Sequence, residues 1–598
     1  MVKTVSLSLR ALMLFTGAAF IYDVPADYFG MAVWQEQLGL IMLGLVTADI
    51  FTVYTWNGKN RIEAGLPSGV PDMIFAMSSI LVFAYATWRF EDLIAYGYLD
   101  NPQGLLVSIT AVVFICETTR RTCGWPLLVL LVGFVVYGLT ASHFSGMLQG
   151  RAVDGYELLT YSVLDPSGML GSALAVVTTT VLAFVVFGAA LFSLGGGKLF
   201  LDLAISGMRD IRGGAGKGAI VASSLFGTIS GSAVSNVVTT GIVTIPMMKR
   251  SGYSSKDAAA IEAVASTGGQ ILPPVMGSAA FIMADMLSIS YQSVVKAAML
   301  PGLLFYLTLF LQVHFMAARG NIRPPDTTGI APAGETLGQY WPFFIPVVVL
   351  VYLLFNSSMP PQKLALLAAG ICILAAFFTP SRPTWERLIR IIDATGSGMV
   401  SILPAVAIAG LIIGILSITG LGFTFGMGVV DQAGGNLLLL LILTALASLV
   451  LGMGLPTTAV YIVMAGLVAP ALITAGVPDI AAHLFVFYYG VLSMITPPVC
   501  LAAIAAASIA GSDFVQTGFA AMKLALTGFL VPFLFVVSPE LLTLDLLNPS
   551  YLFQVLCVMS GFILLAAAVE GYLINPLGTP HRYGAGIVAV FLFSGLLV

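Results

Sequence analysis

No charged residue separates Asp165 from Lys198, and none separates Asp431 from Asp479. A hydrocarbon layer is spanned by about 20 consecutive apolar residues, so runs this long, and repeated, dictate many crossings of a bilayer. Only 9% of the 598 residues are charged, against about 25% in a soluble domain. The pattern contains roughly sixteen to eighteen candidate spans, and the fold class expected is an all-α polytopic membrane protein.

The same scarcity excludes several functions. Net charge is −4 and the basic residues are scattered at span ends, so no nucleic-acid partner is expected. Cys116, Cys123, Cys372, Cys500 and Cys557 show no disulfide or zinc spacing and read as packing residues. The four histidines form no paired-ligand motif, and no cofactor is expected beyond a coupling ion. No soluble segment is large enough for ordinary catalysis, so an enzyme is not expected.

The first apolar run, "ALMLFTGAAFIY", follows Lys3 and Arg10 and resembles a signal peptide, but the charge pattern after it requires a first span. Basic residues collect on the cytoplasmic side. Lys3/Arg10, Lys59/Arg61 and Arg120/Arg121 alternate with the basic-poor connections "YDVPADYFG" and "EDLIAYGYLDNPQG", with Arg89 the exception. This places the N-terminus in the cytoplasm and about five spans before residue 143. A boundary near residue 150 separates a small bundle (1–150) from a large one (151–540), followed by additional apolar helices (541–598).

The large bundle contains a repeat. Pro246 and Pro273 are separated by 27 residues, as are Pro470 and Pro497, and a displacement of 224 relates the pairs. It also carries Gly252 to Gly476, Pro274 to Pro498 and Gln292 to Gln516 without a gap. The copies span about 213–316 and 434–537. Lys249, Arg250 and Lys256 in the first become Ile473, Thr474 and Ile480 in the second, and no Lys or Arg lies between Arg390 and Lys523. The charge bias predicts inverted repeats, a recurring architecture of secondary transporters.

Each copy contains a break. "STGGQILPPV" and "SMITPPVC" interrupt apolar helices with Gly and Pro, which strands backbone N–H and C=O groups where lipid cannot satisfy them. Such breaks persist where protein, water or ligand supplies partners; half-helix N-termini suit an anion and C-termini a cation. Upstream of each lies a polar, small-residue cluster on a candidate re-entrant hairpin, "FGTISGSAVSN" and "LGMGLPTTAVY". Their oxygens without fixed carboxylates suit a weakly held Na+. Taken alone, "SGSAVSN" reads as close helix packing and a lone Pro-Pro as a kink; their paired recurrence favours a site. Glu262 and Asp285 offer a rival proton-coupling scheme, although each also reads as a group near an interface. Asp431 is a further acidic residue beside an apolar run.

The motifs "GTISGSAVSN", "GGQILPPVMGSAAFIMA", "LGMGLPTTAVY" and "ITPPVCLAA" resemble the membrane component of a tripartite ATP-independent periplasmic (TRAP) transporter. The single chain and its apolar C-terminal segments (about 550–571 and 582–598) resemble the TAXI subclass, with small and large subunits fused. The resemblance implies an elevator-type importer with two re-entrant hairpins and two discontinuous helices, in a bacterial or archaeal inner membrane. It implies a small carboxylate substrate, delivered by a periplasmic TAXI-type binding protein and driven by Na+, with H+ the alternative. Matching the motifs, cation binding falls to Ser230, Ser232, Ser235, Asn236, Ser266, Thr267, Gly268 and Gly269, and in the second copy to Gly452, Met453, Thr457, Thr458 and Thr496. Substrate binding falls to Ser232, Ser235, Asn236, Pro273, Pro274, Pro456, Thr457, Pro497 and Pro498. A stand-alone cation–dicarboxylate symporter is the competing reading; a channel lacks a filter-like run, and "TISGSA" lacks a base for a serine nucleophile.

Overall fold

The computed structural model describes residues 2–95, 101–325 and 331–594. Residues 96–100, inside the connection "EDLIAYGYLDNPQG", and 595–598, the end of the last apolar segment, lie outside the described residues. Among those described, eleven helices are long and apolar enough to cross a membrane, and five apolar helices are shorter. Single long helices therefore account for part of the apolar pattern. Four of the five shorter apolar helices fall in the second repeat, where the apolar runs are cut into hairpin arms and half-helices.

Five spanning helices precede residue 150: α1 (Val2–Ile21), α2 (Gln35–Val53), α3 (Val70–Trp88), α4 (Pro102–Cys123) and α5 (Pro126–His143). α6 (Ser172–Leu194) follows, with a π-helical turn at Val177–Val181. Arg10 on α1 is 5% exposed and donates to Asp49 of α2 at 2.8 Å, while its other nitrogen bonds Asp393 and the Ser397 hydroxyl. A charge so deep is tolerated only when paired. Near the ends of α3 and α4, Asp72 accepts from both Arg61 and Arg121, and Glu117 pairs with Arg120 and Arg121.

The repeats then follow. α7 (Gly214–Ser230) and α8 (Ala233–Ser251) form a helical hairpin that packs on α9 (Ser255–Gly268), whose axis resumes as α10 (Ser278–Met286). α11 (Tyr291–Arg319) closes the unit. Between the copies run α12 (Ala333–Asn356), α13 (Pro361–Ala376) and the 35-residue α14 (Trp385–Thr419). α14 is the spine of the molecule and touches α1, α2, α4, α5, α6 and the second hairpin. That hairpin consists of α15 (Leu437–Gly452) and α16 (Thr457–Leu467), followed by α17 (Asp479–Leu492), α18 (Leu501–Ala510) and α19 (Phe514–Val537). α20 (Pro549–Glu570) and α21 (Thr579–Ser594) pack together at the end, with α20 also on α11.

Helix boundaries recur between the copies. Ser255 and Gly268 bound α9, and Asp479 and Leu492, each 224 residues later, bound α17. Gly252 and Gly476 both take positive φ, 109° and 88°, where L side chains are strained and glycine is not. Met276 and Cys500 share positive φ inside the breaks, and both Pro-Pro peptides are cis. Contacts also cross between copies: α8 packs on α18, and α16 on α10.

Candidate functional site

The break between α9 and α10 is held by groups that satisfy its exposed carbonyls. Gly277 N–H donates to Gln270 O at 2.8 Å. The buried Tyr291 hydroxyl donates to Pro274 O at 3.0 Å and also contacts Val275 O, and Tyr306 donates to Ala265 O at 2.6 Å. Protein thus supplies what lipid cannot. The prolines themselves remove competing N–H donors.

Both hairpin tips abut these breaks. Gly231 turns the first tip at φ 63°, and a Cβ there would meet Met276 O at 3.0 Å. Ser232 then caps α8 by accepting from Ser235 N–H. In the second copy Ser493 donates to Gly452 O at 3.0 Å, tying that tip to its own broken helix. The Ser278 and Thr458 hydroxyls are hydrogen-bonded, which joins the start of α10 to the start of α16.

Between the tips lies a cavity of about 650 Å³. Ser230, Ser232 and Ser235 border it from the first hairpin, and Pro456, Thr457 and Thr458 from the second. Gln270 and Met494 come from the breaks. The opposite wall consists of Phe184 and Phe192 of α6, Thr122 and Cys123 of α4, and Ser397 and Ser401 of α14. Two helix N-termini, those of α8 and α16, open onto this space and bring orphan N–H groups to it.

The remaining motif residues are placed elsewhere. Asn236 is buried and donates to Ser223 O at 2.8 Å, bracing the hairpin arms. Ser266, Thr267 and Gly268 are buried in the last turn of α9, Thr267 donating to Ala263 O, and the buried Gly269 opens the break. Thr496 is buried and donates to Leu492 O at 2.9 Å. Gly452 and Met453 lie behind the second tip, and Pro273, Pro274, Pro497 and Pro498 do not border the cavity. Asp285 borders a separate polar pocket of about 510 Å³, shared with Thr179, Thr180 and Gln292.

Glu262 is enclosed by protein and faces neither solvent nor lipid: it is 0% exposed. Four hydroxyls meet its carboxylate, Ser223 at 2.7 Å, Thr240 at 2.5 Å, Thr244 at 2.6 Å and Ser266 at 3.2 Å. The set joins α7, α8 and α9. The spacing of Asn236, Thr240 and Thr244, four residues apart on one helix face, was the available signal for it. Gln270 also went unassigned, although it stands within "STGGQILPPV". Among the described residues no cluster of His, Cys, Asp or Glu could hold a metal ion.

Comparison with known proteins adds the lineage. The family described as tripartite ATP-independent periplasmic transporter, DctM component, matches residues 110–549. The C4-dicarboxylate TRAP transporter large permease protein DctM of Pseudomonas aeruginosa is 24% identical over 391 residues, covering 64% of this chain and 90% of the relative. The 2,3-diketo-L-gulonate TRAP transporter large permease protein YiaN of Escherichia coli is 24% identical over 370 residues, 61% of this chain and 85% of that one. The sialic acid TRAP transporter permease protein SiaT of Haemophilus influenzae is 23% identical over 495 residues, 80% of this chain and 74% of the relative.

Proposed function

We propose that this chain, which belongs to the DctM component family of tripartite ATP-independent periplasmic transporters, imports a small organic acid delivered by a soluble periplasmic binding protein of TAXI type. Na+ drives the import in preference to H+, and the protein works in the inner membrane with its N-terminus in the cytoplasm. The observation that carries this reading is the cavity bordered by two hairpin tips, two helix breaks and a wall from α4, α6 and α14. A carrier needs a site that one set of elements can take away from another. The hairpins and broken helices are the moving part, and α1–α6 with α14 the scaffold.

The fused-subunit reading assigns residues 1–150 to the small component, 151–540 to the large one and 541–598 to additional helices. Cation binding falls to the oxygens at the first tip and break, with Thr457 and Thr458 opposite. One charge crossing the membrane is worth about 2.3 kcal/mol per 100 mV, so the cations must outnumber the charges on the acid for voltage to help.

A second reading has its own observation. Glu262 is buried among hydroxyls, and among the described residues no cationic side chain pairs with it, which suits a group that carries a proton. Uptake into proteoliposomes decides between the two. A candidate binding protein loaded with labelled acid is placed outside, under an inward Na+ or an inward proton gradient. Uptake that needs Na+ and the binding protein supports the first reading; proton-driven uptake supports the second. Uptake without the binding protein means a stand-alone symporter.

A further inference from the structure

α20 and α21 form a helical hairpin that packs along one stripe and stays open along the next. Ala589 is 0% exposed, and the Phe593 ring lies 5.0 Å from that of Phe562, which seats α21 on α20. The neighbouring stripe has no such cover. Ile587 and Val590 are exposed, and with Leu565 and Val569 of α20 they border a groove of about 620 Å³. Ala568 and Gly586 also line it, and a Cβ at Gly586 would meet no atom within 4 Å. Glycine between spanning helices usually lets backbones approach closely; here it leaves room instead.

One end of the groove is cationic. Arg582 borders it beside Thr579 and Tyr583. Its Nε donates to Ala568 O at 2.8 Å and its Nη2 to Val569 O at 3.0 Å, which caps α20 and fixes the guanidinium at the mouth of the groove. Nη1 has no partner, and no carboxylate pairs with this arginine, among the described residues. Glu570, in the same turn of α20, is 0% exposed and already held by Lys523 at 2.8 Å and Arg319 at 3.5 Å. Three cations thus gather around one carboxylate at this end of the helices. An arginine fork matches a phosphate, and basic pockets between spanning helices suit acidic headgroups. The exposed Tyr583 ring fits the headgroup level, where aromatic residues collect.

We propose that the groove between α20 and α21 seats one anionic phospholipid, its phosphate on Arg582 and an acyl chain along Leu565, Val569, Ile587 and Val590. Such a lipid supplies both things the groove lacks, an apolar filling and a counter-charge; a zwitterionic lipid brings its own cation and supplies mainly the first. A second copy of this chain is a poorer occupant. Two-fold pairing about an axis along the membrane normal would set Arg582 against Arg582 at the same depth. Because Glu570 ties α20 to α11 and α19, the lipid is seated on helices of the two repeats.

The test uses the purified full chain in phosphatidylcholine nanodiscs containing a trace of phosphatidylglycerol with a photoactivatable diazirine on its acyl chain. The matching phosphatidylcholine probe is the control, and cross-linked peptides are mapped by mass spectrometry. The phosphatidylglycerol probe is expected to label segments 565–569 and 586–590 about fivefold more than the control, the preference one basic residue gives for an anionic lipid. Arg582→Gln should bring that labelling down to the control level while labelling of the lipid-facing α3 stays unchanged. Gly586→Leu fills the groove where no atom stands in the way, and should remove labelling there by both probes. It keeps the test open if the Arg582 variant frees the end of α20. Equal labelling of the parent by both probes would overturn the anionic lipid, and unchanged labelling of Gly586→Leu would overturn the groove as its seat. No labelling, with a dimer seen by light scattering, would give the groove to a second copy and overturn the proposal.

Discussion

Gly227 of the first hairpin and Gly269 of the first break meet backbone to backbone, and a Cβ added to Gly227 would stand 2.5 Å from the Gly269 Cα. A Cβ on Gly269 would overlap the Gly227 backbone in turn. No side-chain rotation can relieve such a contact, because both partners are main chain. Gly227→Ala or Gly269→Ala should therefore lift the tip from the break. We expect a loss of about 1–3 kcal/mol, the usual range for overpacking, and a much larger loss of uptake. Thermal unfolding and proteoliposome transport on the same preparation would check this; normal transport by Gly269→Ala would mean that the close seam is dispensable.

Glu262 separates geometry from charge. Glu262→Ala should remove the shared acceptor; Ser223, Thr240 and Thr244 keep other partners, so the lost hydrogen bond falls on Ser266, at about 1–3 kcal/mol, and with the void left behind it should lower the yield of folded protein. Glu262→Gln keeps the shape and most bonds, so it should fold with a midpoint within a few degrees of the parent. Under the proton reading its transport no longer responds to a proton gradient; under the Na+ reading transport is retained.

Ser235 and Thr457 border the cavity from opposite hairpins. Ser235→Ala and Thr457→Ala should each raise the Na+ concentration needed for half-maximal uptake severalfold, with modest effect on stability. An unchanged Na+ dependence in both would remove the tips from the cation site. Ser232→Asp adds a negative charge where an acid must bind, and uptake should cease while the protein still inserts.

The Arg10 network predicts a structural phenotype. Arg10→Ala leaves Asp49, which is 0% exposed, without its cation, and breaking a buried pair costs about 3–5 kcal/mol. Folded yield and midpoint should fall sharply, and any protein recovered should transport with an unchanged half-saturating acid concentration. A large shift in that concentration would instead draw Arg10 into substrate handling.

Much of the architecture was legible because Gly and Pro report backbone geometry directly. Gly252 and Gly476, or the Pro-Pro pairs, keep their register because each occupies a position that other residues fill badly. Span number was less legible: hydropathy records burial as well as crossing, and α16 and α18 are short apolar helices largely surrounded by protein. The site was legible only where the tips are. Ser232 and Thr457 stand at helix starts, which small polar residues and Pro announce, whereas Pro497 and Pro498 bend the chain without facing the cavity. The hydroxyls around Glu262 come from three helices, and their convergence is a tertiary fact. Gln270 gave no signal because lacking a partner is a property of the surroundings, not of the residue.

The cavity's scaffold wall also bears on when in the cycle the molecule is seen. Thr122 and Cys123 directly follow Arg120 and Arg121, and Ser397 accepts from Arg10. The cavity therefore lies against the face where these arginines gather. If these arginines mark the cytoplasmic face, as proposed above, this shape is the one whose chamber lies nearer the cell interior. On that proposal a binding protein outside the cell meets a different shape, with the hairpins on the far side.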